Sequence, residues 1–507
     1  MQFLATGRKK EIMGSLALAI CLVLVFPALS LSTEMSAATA QCLDCHRGIS
    51  PGMVSAWKVS RHAVTSPGEA LKKPERERRI SAADLPNDVA RHSVGCAECH
   101  TRNPGKHADT FEHNGFQVHV VVSPEDCSAC HPVEAKQYGT NIMSHAYGNL
   151  MNNQIYRDMA RVINGVPVLT DKRTNTRPPT PETEADSCLS CHGTKVEVKG
   201  TKPRETSMGE MEFPVLAGWP NMGVGRLNPD GTKGSCSSCH AWHQFSIEMA
   251  RKPHTCSQCH KGPDVPAYAV YQVSKHGNIY ETMGKRWNFE AVPWTVGKDF
   301  TAPTCASCHM SLVVTEAGEV VAERSHRMDD RLAWRIFGPI YAHAHPKSPD
   351  TTIIRNRNDQ PLPATLNGEP ASSYLIDAGE QQQRRQAMQQ VCMGCHTWQW
   401  VDGHWVRFEE TIRTTNEMTL AATSLIMQIW DKKLATGPSH GGSAFDEPIE
   451  KQWTEQWLFF ANSTRFSSAM EGADYGVFAN GRWYMAKNIL QIQEWLQSRL
   501  RREQEAR

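Results

Sequence analysis

The sequence predicts a mainly α protein with little β structure and with long helices near its C-terminus. Two observations lead to this class. The motif C-x-x-C-H occurs eight times in 507 residues, which predicts short helices and long connections, each fixed by a bound group. Beyond the last motif, residues 407–434 and 483–507 show apolar side chains at the spacing of amphipathic helices.

The charge balance excludes one class of partner. The chain has 54 Lys and Arg against 53 Asp and Glu, a formal net charge of +1. A nucleic-acid-binding or polybasic membrane-binding protein would carry a marked basic excess. We therefore expect no nucleic-acid partner.

The N-terminus has the pattern of an export signal. Arg8, Lys9 and Lys10 precede an apolar run over residues 14–30, and the small-residue stretch 37–40 offers a cleavage site. The alternative is an uncleaved membrane anchor, since the apolar run is about long enough to span a bilayer. Pro27 and the small residues favour cleavage, so residues 1–40 are predicted to be a signal peptide and the mature protein is expected in the periplasm.

The repeated motif has the spacing that covalent haem attachment requires. Two thiols three residues apart can add to the two vinyl groups of one haem, and the adjacent histidine then binds the iron. The sequence therefore predicts eight haem c groups. The attaching cysteines are Cys42, Cys45, Cys96, Cys99, Cys127, Cys130, Cys188, Cys191, Cys236, Cys239, Cys256, Cys259, Cys305, Cys308, Cys392 and Cys395. The proximal histidines are His46, His100, His131, His192, His240, His260, His309 and His396.

Other uses of paired cysteines fit less well. Zinc sites also use C-x-x-C pairs, but they do not require a histidine after every second cysteine. A disulfide framework would not repeat one spacing eight times, and with Cys21 the motifs account for all 17 cysteines. The fold class is thus a multihaem cytochrome c whose core is packed with haem.

Second axial ligands come from the histidines outside the motifs. Twenty-two histidines less the eight in motifs leave fourteen. Two imidazoles suit an electron-transfer iron, whereas a catalytic iron keeps one position open, so counting alone reveals no open site. Local context favours seven distal ligands, with His113 in reserve for His119: His62, His119, His145, His243, His276, His326 and His404.

The chain resembles the octahaem hydroxylamine oxidoreductase family. The resemblance rests on the eight unevenly spaced motifs and on three further stretches: residues 225–246, "CSQCHKGPD" (256–264) with "SKHG" downstream, and "EGADYG" (471–476). It implies that four ordinary haems follow the catalytic one in sequence. Cys188 and Cys191 would then hold the catalytic haem, with His192 as its proximal ligand.

The resemblance also implies roles for three residues. Asp264 and Tyr341 would lie over the open face of the catalytic haem, where a carboxylate can accept protons during oxidation. Tyr475, from a neighbouring subunit of a homotrimer, would be covalently bonded to that haem. Two plainer readings stay open: Asp264 as a turn or helix-capping residue, and Tyr475 as a packed side chain. The family's usual segment has His after the Asp, but here Val265 follows, unless His343 or His345 substitutes.

The motifs divide the chain into three predicted parts after the signal. Residues 41–187 form a three-haem module, residues 188–400 a five-haem catalytic module, and residues 401–507 a helical oligomerisation region, or alternatively an ordinary intramolecular bundle. Residues 312–323 read as a hairpin turning at Ala317 and Gly318. The proline-rich stretch 176–186 is predicted to be a surface loop.

The leading functional hypothesis is oxidation of hydroxylamine to nitric oxide or nitrite, with seven bis-histidine haems passing electrons to a cytochrome c. Alternatives on the same scaffold are hydrazine oxidation and nitrite or nitric oxide reduction, and Tyr475 argues against the reductive direction. A different class is a non-catalytic electron carrier, for which the chain has enough histidines.

Overall fold

Short helices and turns make up the first two thirds of the chain, and long helices make up the rest. The computed structural model describes residues 33–506. The predicted mainly α class with little β structure is confirmed. The predicted signal peptide lies mostly outside the described residues.

The helices before the last motif are mostly shorter than ten residues. They are α1 (Ala37–Ile49), α2 (Pro51–Lys58), α3 (Arg61–Val64), α4 (Pro67–Leu71), α5 (Asn87–Arg91), α6 (Cys96–His100), α7 (Pro124–Cys127), α8 (Pro132–Gly139), α9 (Ala146–Met151), α10 (Gln154–Asn164), α11 (Pro181–Asp186), α12 (Cys188–His192), α13 (Ile247–Arg251), α14 (Pro253–Ser257), α15 (Ala267–Val273), α16 (Lys275–Met283) and α17 (Cys305–His309). Three of them, α6, α12 and α17, coincide with C-x-x-C-H motifs. One helical turn places the first cysteine above the second on a single face, as haem attachment requires.

The C-terminal region is a helical bundle with its own apolar core. Its helices are α18 (Ala378–Met393), α19 (Trp398–Asp431), α20 (Pro448–Glu455), α21 (Asn462–Met470), α22 (Ala473–Val477) and α23 (Arg482–Glu505), with a π-helical segment, Gln456–Ala461, between α20 and α21. Helix α19 buries Ile412, Ile426 and Ile429 along one side, which is the predicted amphipathic spacing. Trp430 and Trp453 pack with them.

The strands form small separate sheets. They are β1 (Phe111–His113), β2 (Phe116–Val118), β3 (Val166–Thr170), β4 (Arg173–Arg177), β5 (Glu197–Thr206), β6 (Gly209–Ala217), β7 (Trp294–Thr295), β8 (Val313–Val314), β9 (Val320–Ala322), β10 (Trp334–Arg335) and β11 (His343–Ala344). Antiparallel pairs join β1 to β2, β3 to β4, β5 to β6, and β10 to β11, while β7, β8 and β9 form one sheet. In that sheet β8 and β9 are antiparallel with Gly318 in the turn at φ 83°, so the predicted hairpin over 312–323 is confirmed.

One predicted loop is partly wrong. Residues 176–186 are exposed for the most part, but β4 extends to Arg177 and α11 covers Pro181–Asp186. Thr180 caps α11, its side chain accepting from the backbone N–H of Thr183, and Pro181 occupies the first helical position. A threonine cap followed by proline favours helix formation, so the local signal was present in the sequence.

From Thr33 onward the residues form one compact unit. The predicted divisions at 187 and 400 therefore stay predictions about how the motifs are grouped. Over the part of the chain that the structure describes, no helix combines the length and apolarity that a membrane span needs.

A buried carboxyl group, that of Glu450, fixes the start of α20. Its Oε1 accepts from Trp430 Nε1 at 2.9 Å, and its Oε2 accepts from the backbone N–H groups of Glu447 and Asp446 at 2.9 and 3.2 Å. Burial raises the pKa of Glu450 to about 7. The bundle therefore depends on a fully buried acidic side chain that satisfies three donors.

Replacing this side chain is expected to destabilise the bundle. Because Glu450→Ala leaves three buried donors without an acceptor, we expect a loss of about 2 to 4 kcal/mol at pH 6, measured by urea unfolding followed by far-ultraviolet circular dichroism. The folded pKa is raised, so wild-type stability should fall as pH rises from 4.5 through about 7, and the variant should lose this dependence. Glu410→Ala, at an exposed partner of Arg413, is the control and should leave the midpoint unchanged. Equal midpoints for Glu450→Ala and wild type would contradict the assignment.

Candidate haem sites and active site

The motif cysteines are arranged for attachment to a group other than sulfur. All sixteen are free of disulfides, although thiols of different motifs are neighbours. The Cys191 and Cys259 thiols are hydrogen-bonded to each other, as are those of Cys127 and Cys236. Pairs of thiols from adjacent motifs thus lie side by side, which would bring the edges of the attached haems together.

The motif histidines are oriented as iron ligands. Nδ1–H donates to a backbone carbonyl in three of them: His100 to His119 at 2.9 Å, His309 to Met328 at 3.3 Å, and His192 to Ala146 at 3.4 Å. This bond leaves Nε2 as the free donor atom, the arrangement usual in metal-bound imidazoles. Burial lowers the pKa of His100 and His309 to about 4, so each ring is in the neutral form that binds iron.

Three histidine pairs have the spacing of two imidazoles on one iron. A metal–imidazole bond is about 2 Å and each ring centre lies about 1 Å behind its nitrogen, so two such rings have centres about 6 Å apart. His62 lies 6.3 Å from His131, His276 lies 6.1 Å from His396, and His113 lies 6.2 Å from His46. The residues present therefore fit haem, with these pairs as the axial ligands of three groups.

His119 also lies 6.0 Å from His100, but on the wrong side of that ring. The His119 carbonyl accepts from His100 Nδ1, and the His119 N–H donates to the His100 carbonyl at 2.9 Å. Iron binds at Nε2, so His119 lies on the side of His100 away from the iron. Its ring is fully buried and stacks on His107 at 3.7 Å, whereas a ligand facing an open haem space would be partly exposed. The geometry favours His113, the reserve choice, over His119.

The other predicted distal ligands have varied surroundings. His145 Nε2 lies 3.1 Å from the Gly139 carbonyl, His404 Nδ1 lies 3.0 Å from Glu471 Oε1, and the His243 ring packs against Phe245. His326 comes nearest to the expected pattern, because burial, followed by nearby His240, lowers its pKa to about 4. Their assignment as ligands stays a prediction.

His192 differs from the other motif histidines. It is the one of the eight that is exposed, while the rest are partly covered. Burial nevertheless lowers its pKa, partly offset by the Ala146 carbonyl and by the Asp264 carboxylate. A ring that is solvent-accessible yet closely surrounded by protein lines an internal opening. The predicted catalytic motif thus borders the most open of the eight sites.

Asp264 lies beside this opening and is held there by the C-terminal bundle. Its charge raises the pKa of His192 and of His260, so it lies between two motifs. Its carbonyl accepts from Asn462 Nδ2 at 2.9 Å, and Asn462 is buried. Helix α15 begins at Ala267 with Pro266 as its N-cap, so Asp264 is not its capping residue. Asn462 follows the π-helical segment directly, a feature often found at functional sites.

The two tyrosines have different surroundings. Tyr341 is buried in the C-terminal core, where its hydroxyl donates to the Leu366 carbonyl at 2.7 Å. Within residues 33–506 that bond directs it towards Leu366 and not towards Asp264. Tyr475, on α22, is half-buried, and Phe478 and Trp483 beside it are 63% and 60% exposed. Sequence reasoning missed Asn462, which lies 198 residues from its partner Asp264 and shows no local signal.

Comparison with known proteins agrees with this geometry. Residues 221–337 match the family model described as "Seven times multi-haem cytochrome CxxCH", and residues 41–125 match "Cytochrome c554 and c-prime". The motifs and the imidazole pairs define a multihaem c-type cytochrome. A solved structure described as "Hypothetical multiheme protein" superposes with a TM-score of 0.87 at 37% identity, covering 94% of this chain and 98% of that one.

Two relatives come from Kuenenia stuttgartiensis. A "Probable nitrite reductase-hydroxylamine oxidoreductase fusion protein" is 26% identical over 377 residues, 70% of this chain and 34% of the relative. The chain thus spans about a third of that relative's length. A reducing HAO-like protein complex shares the fold, with a TM-score of 0.60 at 17% identity over 92% of this chain and 86% of that one. The chain belongs to the hydroxylamine-oxidoreductase-like multihaem cytochromes c.

The ligand geometry predicts different effects for two neighbouring histidines. In the haem-loaded protein, His113→Ala should convert one low-spin ferric haem to high spin, because the ring facing His46 is removed. His119→Ala should leave the number of low-spin haems unchanged. Electron paramagnetic resonance of the oxidised protein measures both. A gain of high-spin signal in His119→Ala with none in His113→Ala would reverse the assignment.

Proposed function

We propose that the protein is a redox enzyme that oxidises hydroxylamine to nitric oxide or nitrite at a haem held by Cys188, Cys191 and His192. The observation that carries the proposal is the exposure of His192, the one exposed motif histidine, with a carboxylate beside it. Seven remaining haems, each with two histidine ligands, would carry the electrons away. The iron, when bound, supplies the electron-accepting centre.

Asp264 would handle the protons. Oxidation of hydroxylamine releases protons as well as electrons, and a carboxylate close to the open iron can accept them and pass them to water. Asp264 is exposed to the internal opening, and its carbonyl is fixed by Asn462. Val265 leaves this position without the family's second proton-accepting side chain, and buried His343 offers an imidazole for that role.

Electrons would leave through the motif at 256–260. Cys191 and Cys259 are neighbours, and Cys256 is hydrogen-bonded to Cys305 of the next motif. Attached haems would therefore stand edge to edge along the series 188–192, 256–260 and 305–309. A cytochrome c is the proposed final acceptor, and the periplasm the proposed location.

Tyr475 would complete the site of a neighbouring copy. Its exposed neighbours Phe478 and Trp483 form an apolar surface suited to contact with another subunit. A homotrimer, as in the resembled family, would let this tyrosine reach the catalytic haem of the next subunit and bond to it. The C-terminal helices would then serve oligomerisation.

Nitrite or nitric oxide reduction is the second candidate. The name of the fusion relative includes a nitrite reductase, and Arg335 brings positive charge near His192, which suits an anionic substrate. Hydrazine oxidation would use the same carboxylate. A carrier without an active site would require eight six-coordinate haems.

Removing the tyrosine hydroxyl tests the oxidative assignment. We expect Tyr475→Phe to abolish the covalent bond and to reduce hydroxylamine oxidation with an artificial acceptor by more than about tenfold, roughly 1.4 kcal/mol in activation free energy. Mass spectrometry of haem peptides reports the bond. Tyr484→Phe, at another partly exposed tyrosine, is the control. Unchanged turnover in Tyr475→Phe would remove the case for a crosslinked oxidase.

Neutralising the carboxylate tests the proton-accepting role. Asp264→Asn should lower kcat by about 10²-fold or more, the usual contribution of a positioned base, and should remove the acidic limb of the pH–rate profile. Asp474→Asn, an exposed acid on α22, should behave as wild type. If Asp264→Asn keeps its turnover at every pH, the residue is only a turn former.

A further inference from the structure

Arg335 is a half-buried arginine whose charge has no carboxylate partner within residues 33–506. It lies on β10 opposite His343 of β11. Its Nε donates to the Phe337 carbonyl at 3.2 Å, and its guanidinium lies 5.4 Å from the centre of the Phe337 ring. Its two terminal nitrogens are left without hydrogen-bond acceptors among the described residues. An arginine in this state can bind an anion through both nitrogens.

A second arginine adds positive charge behind it. Arg465 on α21 is fully buried and donates to Thr415 Oγ1 at 3.1 Å and Asn416 Oδ1 at 2.7 Å, both neutral. It also donates to the Ile336 carbonyl at 3.3 Å, next to Arg335. Burial lowers the pKa of Arg465 to about 9, so it remains charged at neutral pH. A buried cation without a counter-charge is costly, and an anion bound nearby would offset that cost.

The two arginines adjoin a small polar cavity. It measures about 20 Å³ and is lined by Arg335, His343, Tyr156 and Asn153 together with several prolines. His343 Nδ1–H donates to the Ala344 carbonyl at 2.7 Å, and its Nε2 is buried with no partner in the described chain. The space is on the scale of one or two water molecules, so it suits a compact ion and excludes larger organic acids.

The cavity is linked to the predicted catalytic motif. The charge of Arg335 adds to burial in lowering the pKa of His192. Asn462, on the same helix as Arg465, holds the carbonyl of Asp264. Helix α21 thus ties the cationic strand β10 and the Asp264 segment to one another.

We propose that Arg335 binds a small oxyanion of the nitrite class beside the haem held at Cys188 and Cys191. The inference rests on the proposed function for the position of that haem, and it names the anion that the site takes as product or as substrate. A haem propionate has the same carboxylate-like chemistry and is the competing source of negative charge. His343 Nε2 and the Tyr156 hydroxyl are positioned to contact the anion from the other sides of the cavity.

Calorimetric titration of the ferric, haem-loaded protein with sodium nitrite tests the inference. Arg335→Gln should weaken nitrite binding by about tenfold to a hundredfold, the range for a hydrogen bond to a charged group, and Arg335→Lys should recover part of it. Binding of neutral hydroxylamine should be unchanged. Arg413→Gln removes the same charge from an exposed site on α19 and should match wild type. Haem content and absorption spectra confirm that each variant is assembled.

Three results would overturn the inference. The first is the absence of nitrite binding in wild type, and the second is equal binding in Arg335→Gln. The third is a ligand-free shift in haem absorption with equal weakening of nitrite and hydroxylamine, which would assign Arg335 to a propionate. Wild type that binds nitrite through Arg335 but does not oxidise hydroxylamine would keep this inference and remove the proposed oxidation.

Discussion

Covalent attachment of haem through C-x-x-C-H is the constraint on which the rest of the structure depends. A motif needs only one helical turn to present two thiols and an imidazole, so the chain around it can be short and irregular. Helices such as α6, α12 and α17 are no longer than the motifs themselves. Where the motifs end, an ordinary apolar core takes over, built on Trp430, Trp453 and their neighbours. Bound groups organise the first two thirds of the molecule, and side-chain packing organises the last third.

One site departs from this pattern, and the C-terminal bundle supports the departure. His192 borders an opening, while Asn462 and Arg465 on α21 reach back to Asp264 and to the strand that carries Arg335. The π-helical turn before Asn462 changes the register of that helix by a fraction of a turn, which sets the directions of Asn462 and Arg465. The apolar packing of the bundle therefore fixes the polar groups around an opening that belongs to another part of the chain.

The sequence predicts what is local and loses what is distant. Attachment cysteines and motif histidines follow from five adjacent letters, and the long helices follow from periodicity. Ligand pairing does not, because His46 and His113 meet only through tertiary structure, and nothing in the stretch 111–119 ranks His113 above His119. The strands β3 and β4 escaped notice because nearly every side chain in them is exposed, so no alternation marks them. The link between Asp264 and Asn462 spans 198 residues and has no sequence signature.

The charges near His192 bear on the direction of the reaction. A carboxylate such as Asp264 favours a step that releases protons, whereas the arginines Arg335 and Arg465 favour negative charge. Hydroxylamine is neutral and nitrite is an anion, so the arginines stabilise the oxidised nitrogen compound relative to the reduced one. By thermodynamic linkage, tighter binding of nitrite favours its formation from bound hydroxylamine but slows its release. The same pair of arginines would therefore assist capture of nitrite in a reductase and limit product release in an oxidase, and the potentials of the attached haems would decide which of these two effects is expressed.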